Sequence, residues 1–332
     1  MNRTLNTIRR ENPPRRIIPR GVRPERGQAQ LSVTKYENLI TEAHRVATLE
    51  NGSQAWLEER NKGIGGSDVA AIVGYSKWES AYSLWCKKTG RIQDSVTSSA
   101  MEWGNRLEDV VIDKFADEHP EYELLRNVGS WANNVRPWQK ANPDALYMHE
   151  GELCLLEIKT AQYEDDWKTG TPGEYTIPNH YFTQVQWYLQ ALGLKRGTLA
   201  VLFHGNLYIE LTFSSNQFEQ DVNLHDCAHF WELVQNDIKP EWDGADVTVE
   251  AVRKQHPDID ADASVELMEL AAEYMIADKQ VREYQATLNA AKAQILDIMG
   301  NAKYGTQGGE IVFVRSARGQ GVPYLTVKKG SK

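Results

Sequence analysis

Apolar positions along the 332-residue chain change period several times, and each change marks an element. Tyr36–Leu49 reads as a helix stopped by Asn51-Gly52. A second helical piece carries Trp56 and Leu57 and leads to Arg60; Gly63, Gly65 and Gly66 then form a glycine-rich loop. Ser67 is expected to cap a short helix, Asp68–Val73, that Gly74 ends, and Ser80 another, Ala81–Thr89, with Gly90 just past it. Glu102–Glu118 is amphipathic and closed by Pro120. A period of two then takes over. Gln139–Tyr147 and Glu152–Thr160 flank His149-Glu150-Gly151 as a hairpin, and Gly197–Phe203 pairs with Leu207–Phe213 across His204-Gly205-Asn206. Helices Ile177–Leu192 and Gln217–Asn236 complete an α/β body, a mixed central sheet flanked by helices.

Asp237–Ala263 is rich in Pro, Asp and Gly and reads as a linker. Beyond it a heptad seam runs unbroken through Leu267, Leu270, Tyr274, Ala277, Val281, Tyr284, Leu288, Ala291, Ile295 and Ile298, stopping at Gly300-Asn301. Glu310–Arg315 and Val322–Lys328 suggest a small terminal β-hairpin. The expected organisation is an arm at 1–30, a globular domain at 31–240, a linker at 241–263, and a long helix with its hairpin at 264–332.

Composition and charge narrow the function. The net charge is -9, yet residues 1–27 hold eight arginines against Glu11 and Glu25, leaving the rest at -15. Four prolines keep this basic arm from being one helix, and it reads as a disordered tail, with a tether to the DNA backbone as the functional rival. It lacks the apolar region of a secretory signal. An acidic body suits the collection of divalent cations better than coating nucleic acid over its whole surface. No apolar run is long enough to span a bilayer, so no membrane protein is expected. Cys86, Cys154 and Cys227 lie far apart, which excludes a disulfide framework, a four-cysteine zinc site and an iron–sulfur cluster, and fits a reducing cytoplasm.

The strongest chemical pattern is Asn142-Pro143-Asp144 followed by Glu157-Ile158-Lys159. Strand alternation puts Glu157 and Lys159 on one face and Cys154, Leu156 and Ile158 on the other, and the hairpin can bring Asp144 beside Glu157. Two adjacent carboxylates repel unless a cation lies between them, and Mg²⁺ is the hard-ion choice. Lys159 would then neighbour an activated water and stabilise charge on a phosphodiester. Glu108 shares a helical stripe with Val111, Ile112 and Phe115, and Gln184 shares a face with Tyr181, Val185 and Tyr188. Ser67 lies just behind the glycine loop at an expected helix N-terminus, and Arg60, seven residues earlier, could fork onto the same phosphate. His225 and His229 sit at i, i+4 without a zincin pattern and read as incidental.

These residues together resemble the YqaJ-like viral recombinase and phage lambda exonuclease family of the PD-(D/E)XK nuclease superfamily. The likeness runs over about residues 50–240 through Trp56-x-x-x-Arg60, Gly65-Gly66-Ser67-Asp68, Gly74, Tyr82-x-Leu84-Trp85 and Lys88-Thr89-Gly90. It continues with Gly104-x-x-x-Glu108, Pro143-Asp144, Glu157-x-Lys159 and Gln184-x-x-x-Tyr188. The resemblance implies a PD-(D/E)XK core. Asp144, Glu157 and the Ile158 carbonyl would hold Mg²⁺, for which Mn²⁺ can substitute, and Glu108 would serve a water or second ion. Lys159 would be the catalytic lysine, oriented with the water by Gln184, and Tyr188 would line the substrate side. Arg60 and Ser67 would hold a 5′-phosphate, with Asn142 where the family has serine.

The activity so implied is a 5′→3′ exonuclease that resects double-stranded DNA ends for phage-type recombination. A trimer is the assembly implied, a single-strand annealing protein the partner, and a bacterial cytoplasm the location. An endonuclease or branched-DNA nuclease on the same core, and a catalytically silent DNA-end-binding protein, are the competing readings.

Overall fold

The computed structural model of the protein describes residues 36–47, 54–92, 98–317 and 319–328; the basic arm lies outside them. The chain divides into two compact units, the first running to Asp258 and the second starting at Ile259.

The first unit begins with strand β1 (Ala43–Ala47) and helices α1 (Gln54–Arg60), α2 (Gly66–Ile72), α3 (Ala81–Lys88) and α4 (Ser99–Glu118). Strands β2 (Glu123–Arg126), β3 (Ser130–Asn133), β4 (Lys140–Ala141), β5 (Ala145–His149) and β6 (Glu152–Ala161) follow. Helix α5 (Asn179–Leu192), strands β7 (Arg196–Phe203) and β8 (Leu207–Ser214), and helices α6 (Gln217–Gln235) and α7 (Asp246–Gln255) complete it. The main sheet has the order β2-β5-β6-β7-β8; only β6 and β7 run parallel, joined by the crossover helix α5.

Two apolar layers clamp this sheet, and strand alternation decides which residue enters which. Val111, Ile112 and Phe115 of α4 pack on Ala145, Tyr147, Cys154, Leu156 and Ile158. Leu146, Leu155, Leu199 and Val201 point the other way, into a larger core with Val69 of α2 and Val185, Trp187 and Leu189 of α5. Each such fully buried aliphatic or aromatic side chain contributes about 1.5–3 kcal/mol. The ends of α5 are set by Pro178, which starts it, and Gly193, whose φ of 71° ends it.

Three expectations are corrected here. The described part of Tyr36–Leu49, residues 36–47, is not a helix: Glu37–Leu39 makes a single 3₁₀ turn, and β1 pairs antiparallel with β3 in a small side sheet. The linker contains α7, whose Thr248 hydroxyl bonds Ser80 Oγ at 2.6 Å, tying it to the α3 cap. Gln139–Tyr147 is also not one strand; it breaks at Asn142-Pro143-Asp144, so β4 joins the side sheet and β5 the main one.

The second unit has helix α8 (Met268–Met299) and a sheet of β9 (Tyr304–Gln307), β10 (Glu310–Ser316) and β11 (Tyr324–Val327), three antiparallel strands rather than a hairpin.

Candidate active site

The break between β4 and β5 places Asp144 one residue ahead of β5. Because Ala145 stands opposite Leu156, position 144 falls opposite Glu157 on β6. Asp144 Oδ2 accepts the Ile158 main-chain N–H at 2.7 Å. Lys159 Nζ donates to Glu157 Oε1 at 2.6 Å, and Gln184 Nε2, reaching down from α5, donates to the same oxygen at 2.7 Å. Gln184 thus holds Glu157 rather than the lysine. Its amide also lies 3.4 Å from the Tyr188 hydroxyl one turn on, so Tyr188 enters the same polar pocket. The Tyr181 ring lies 5.2 Å from Lys159 Nζ. Glu108, half-buried on α4, interacts electrostatically with Asp144 and Lys159.

Electrostatics follow from crowding acids in a buried place. Burial, then the neighbouring Asp144, pushes Glu157 up to about 8. Burial and the charges of Asp144 and Asp109 push Glu108 up to about 7. Burial also raises Asp144, against the pull of Lys159. For Lys159, burial alone would favour the neutral amine, but Glu157 and Asp144 outweigh it and keep the ammonium charged. Glu157 is 2% exposed, yet among the described residues its Oε2 has no hydrogen-bond donor, and neither does the buried Asn142 Oδ1.

Arg60 and Ser67 meet as a second site. Arg60 donates to Ser67 Oγ at 2.9 Å and to Asp68 Oδ1 at 2.8 Å. Ser67 does not cap α2: the helix starts at Gly66, two residues earlier than expected, with Gly65 as its N-cap, and Asp68 Oδ2 takes the Gly65 N–H at 3.0 Å. Ser67 is left exposed in the first turn. Lys88, from α3, reaches Asp68 Oδ2 at 2.8 Å and also donates to the Arg60 carbonyl at 3.0 Å. Two cations therefore share one fully buried carboxylate, a local excess of one positive charge. Burial alone would raise Asp68, but Lys88 and Arg60 hold it well below the usual carboxylate range. The two sites touch through Gly66: a Cβ there would come within 2.5 Å of the Tyr188 ring and 2.9 Å of Gln184 Cγ.

Sequence reasoning missed Asp68 and Lys88 as parts of this arrangement. A buried acid behind a glycine loop is a readable signal, but its second partner stands twenty residues away on another helix. His225 and His229 are exposed on α6, away from any such network.

Residues 55–195 match the YqaJ-like viral recombinase domain. The chain is similar to the uncharacterized protein YqaJ of Bacillus subtilis (strain 168), with 29% identity over 287 residues, covering 78% of this chain and 82% of that protein. Among solved structures it is similar to an alkaline exonuclease (LHK-Exo) from Laribacter hongkongensis, at 18% identity and a TM-score of 0.45 over 56% of this chain and 94% of that one. A putative exonuclease from Eubacterium rectale is similar at 12% identity and a TM-score of 0.38, over 68% and 99% of the two chains. The span 55–195 holds Arg60, Ser67, Glu108, Asp144, Glu157, Lys159 and Gln184 together, and over it the chain carries a YqaJ-like viral recombinase domain.

Proposed function

We propose that the protein is a Mg²⁺-dependent deoxyribonuclease that digests duplex DNA from its 5′ ends, leaving 3′ single strands for phage-type recombination. The observation that carries this reading is the Glu157 carboxylate: buried, pinned through one oxygen by Lys159 and Gln184, with its other oxygen undonated and Asp144 opposite. An undonated buried oxygen beside a second acid is what a cation would satisfy. Among the described residues no three acidic, histidine or cysteine side chains close on one point. The donor set would therefore be Asp144, Glu157, the Ile158 carbonyl and water, with Glu108 behind the water. Bound there, Mg²⁺ would supply an activated water and neutralise charge on the phosphate.

The chain's own groups do the rest. Lys159, kept protonated by its acids, offers positive charge to a phosphate oxygen. Gln184 and Lys159 fix the Glu157 rotamer from two sides. Arg60, aimed by Asp68, and the exposed Ser67 hydroxyl would take a terminal 5′-phosphate by charge-assisted hydrogen bonds. The test is a time course on 5′-phosphorylated linear duplex with Mg²⁺ or EDTA, beside covalently closed circular DNA. Loss of label from the linear substrate alone, and only with Mg²⁺, is expected; cutting of the circle would favour an endonuclease.

A further inference from the structure

None of the residues of α8 is buried, and apart from the half-buried Ile295 its seam is open to solvent, Tyr274 at 73%, Tyr284 at 76% and Ile298 at 84%. Such an apolar stripe on a helix about 48 Å long needs a cover. Size and charge along the stripe say which. In a parallel pairing each seam residue faces its own copy. Tyr274 and Tyr284 would then crowd themselves, Ala277 and Ala291 would leave gaps, and Glu273 on one flank would face Asp278.

An antiparallel copy removes every one of these conflicts in a single register. Tyr274 meets Ala291 of the partner subunit, and Ala277 meets Leu288 of the partner subunit. Val281 meets Tyr284 of the partner subunit, and the ends close with Leu267 on Ile298 of the partner subunit and Leu270 on Ile295 of the partner subunit. Large faces small at both alanines, and all ten seam positions are used. Sliding by one heptad in one direction sets Tyr274 against Tyr284 of the partner subunit; sliding in either direction leaves seam residues overhanging.

The flank agrees. Side chains on a helix lean toward its N-terminus, so in this register Asp278 and Lys292 of the partner subunit converge, twice per pair. Asp278 has Arg282 beside it on its own helix, whereas Lys292 has no ion-pair partner among the described residues. Seam and flank positions together make roughly twenty residues a side, the size of a standard stable interface. We infer that α8 is a self-association element: it binds the α8 of a second copy of this chain as an antiparallel coiled coil in this register. This does not rest on the nuclease reading.

The full chain is used for the test. By light scattering, the wild type should have twice the mass of the Val281→Asp/Leu288→Asp variant, whatever assembly the first unit makes by itself; equal masses would overturn the inference, showing the seam covered within one chain or by another partner. Disulfide trapping fixes direction, and Cys86, Cys154 and Cys227 are buried and do not compete. Chains carrying Ala277→Cys alone should give no cross-linked dimer, whereas co-expression of Ala277→Cys with Leu288→Cys chains should give one. Cross-linking of the Ala277→Cys chain to itself would show a parallel pair and refute the register. Lys292→Glu should weaken the dimer roughly tenfold, with Asp278→Lys/Lys292→Asp restoring it; no rescue would count against the flank contact.

Discussion

Replacing Asp68 by Asn should be among the most costly single substitutions in the first unit. The change is nearly isosteric, so it leaves packing alone and removes one negative charge. The Lys88 side chain is 2% exposed, while the Arg60 side chain is 30% exposed and can turn outward. The penalty therefore falls on a buried ammonium without its counter-ion, a loss of about 3–5 kcal/mol. Arg60→Ala should cost less, since Asp68 keeps both Lys88 and the Gly65 N–H. Adding Lys88→Met to Asp68→Asn should recover more than half of the loss, because a buried pair replaced by apolar volume is close to neutral. Urea unfolding of the three variants measures this. A loss below about 1 kcal/mol for Asp68→Asn, or no recovery in the double variant, would refute the assignment of Asp68 as the counter-ion. The pH dependence has a fixed sign. Asp68 titrates lower folded than unfolded, so its stabilisation is complete at neutral pH. It fades as pH falls below the ordinary aspartate value of about 4, toward the folded one.

Further consequences can be checked with purified protein. Lys159→Ala should abolish Mg²⁺-dependent cleavage while duplex binding, read by fluorescence anisotropy, persists; unchanged cleavage would remove Lys159 from the reaction. Arg60→Ala should erase the preference for 5′-phosphorylated over 5′-hydroxyl ends, and equal rates on both ends in the wild type would refute that role. Gly66→Ala drives a methyl into the Tyr188 ring and Gln184, an overpacking cost of about 1–3 kcal/mol. It should slow cleavage at least tenfold, and an unaffected rate would show that the placement of Gln184 does not matter.

Much of the candidate site was legible because strand geometry is strict. A period of two puts Glu157 and Lys159 on one face, and a hairpin turn at His149-Glu150-Gly151 sets the register that brings position 144 opposite 157. The 3.6-residue period likewise put Gln184 and Tyr188 together, although Gln184 turned out to hold Glu157. What escaped the sequence depended on distant partners. Ala43–Ala47 becomes a strand because β3 offers it an edge, and its local pattern carries no such instruction. The α7 segment owes its place to contacts such as Thr248 with Ser80, far apart in the chain. The Asp68–Lys88 contact is of the same kind, a pairing between neighbouring helices that no spacing rule announces.

We propose that Asp144, Glu157 and Lys159 form a cation-dependent centre that cuts DNA. Its most direct test is manganese binding by isothermal calorimetry, run beside nuclease assays on the same preparations of wild type, Glu157→Gln and Lys159→Ala. The wild type should bind the ion and cut, Glu157→Gln should lose both, and Lys159→Ala should bind but not cut. Cation binding and cleavage that survive in Glu157→Gln would refute a cation-dependent centre at these residues.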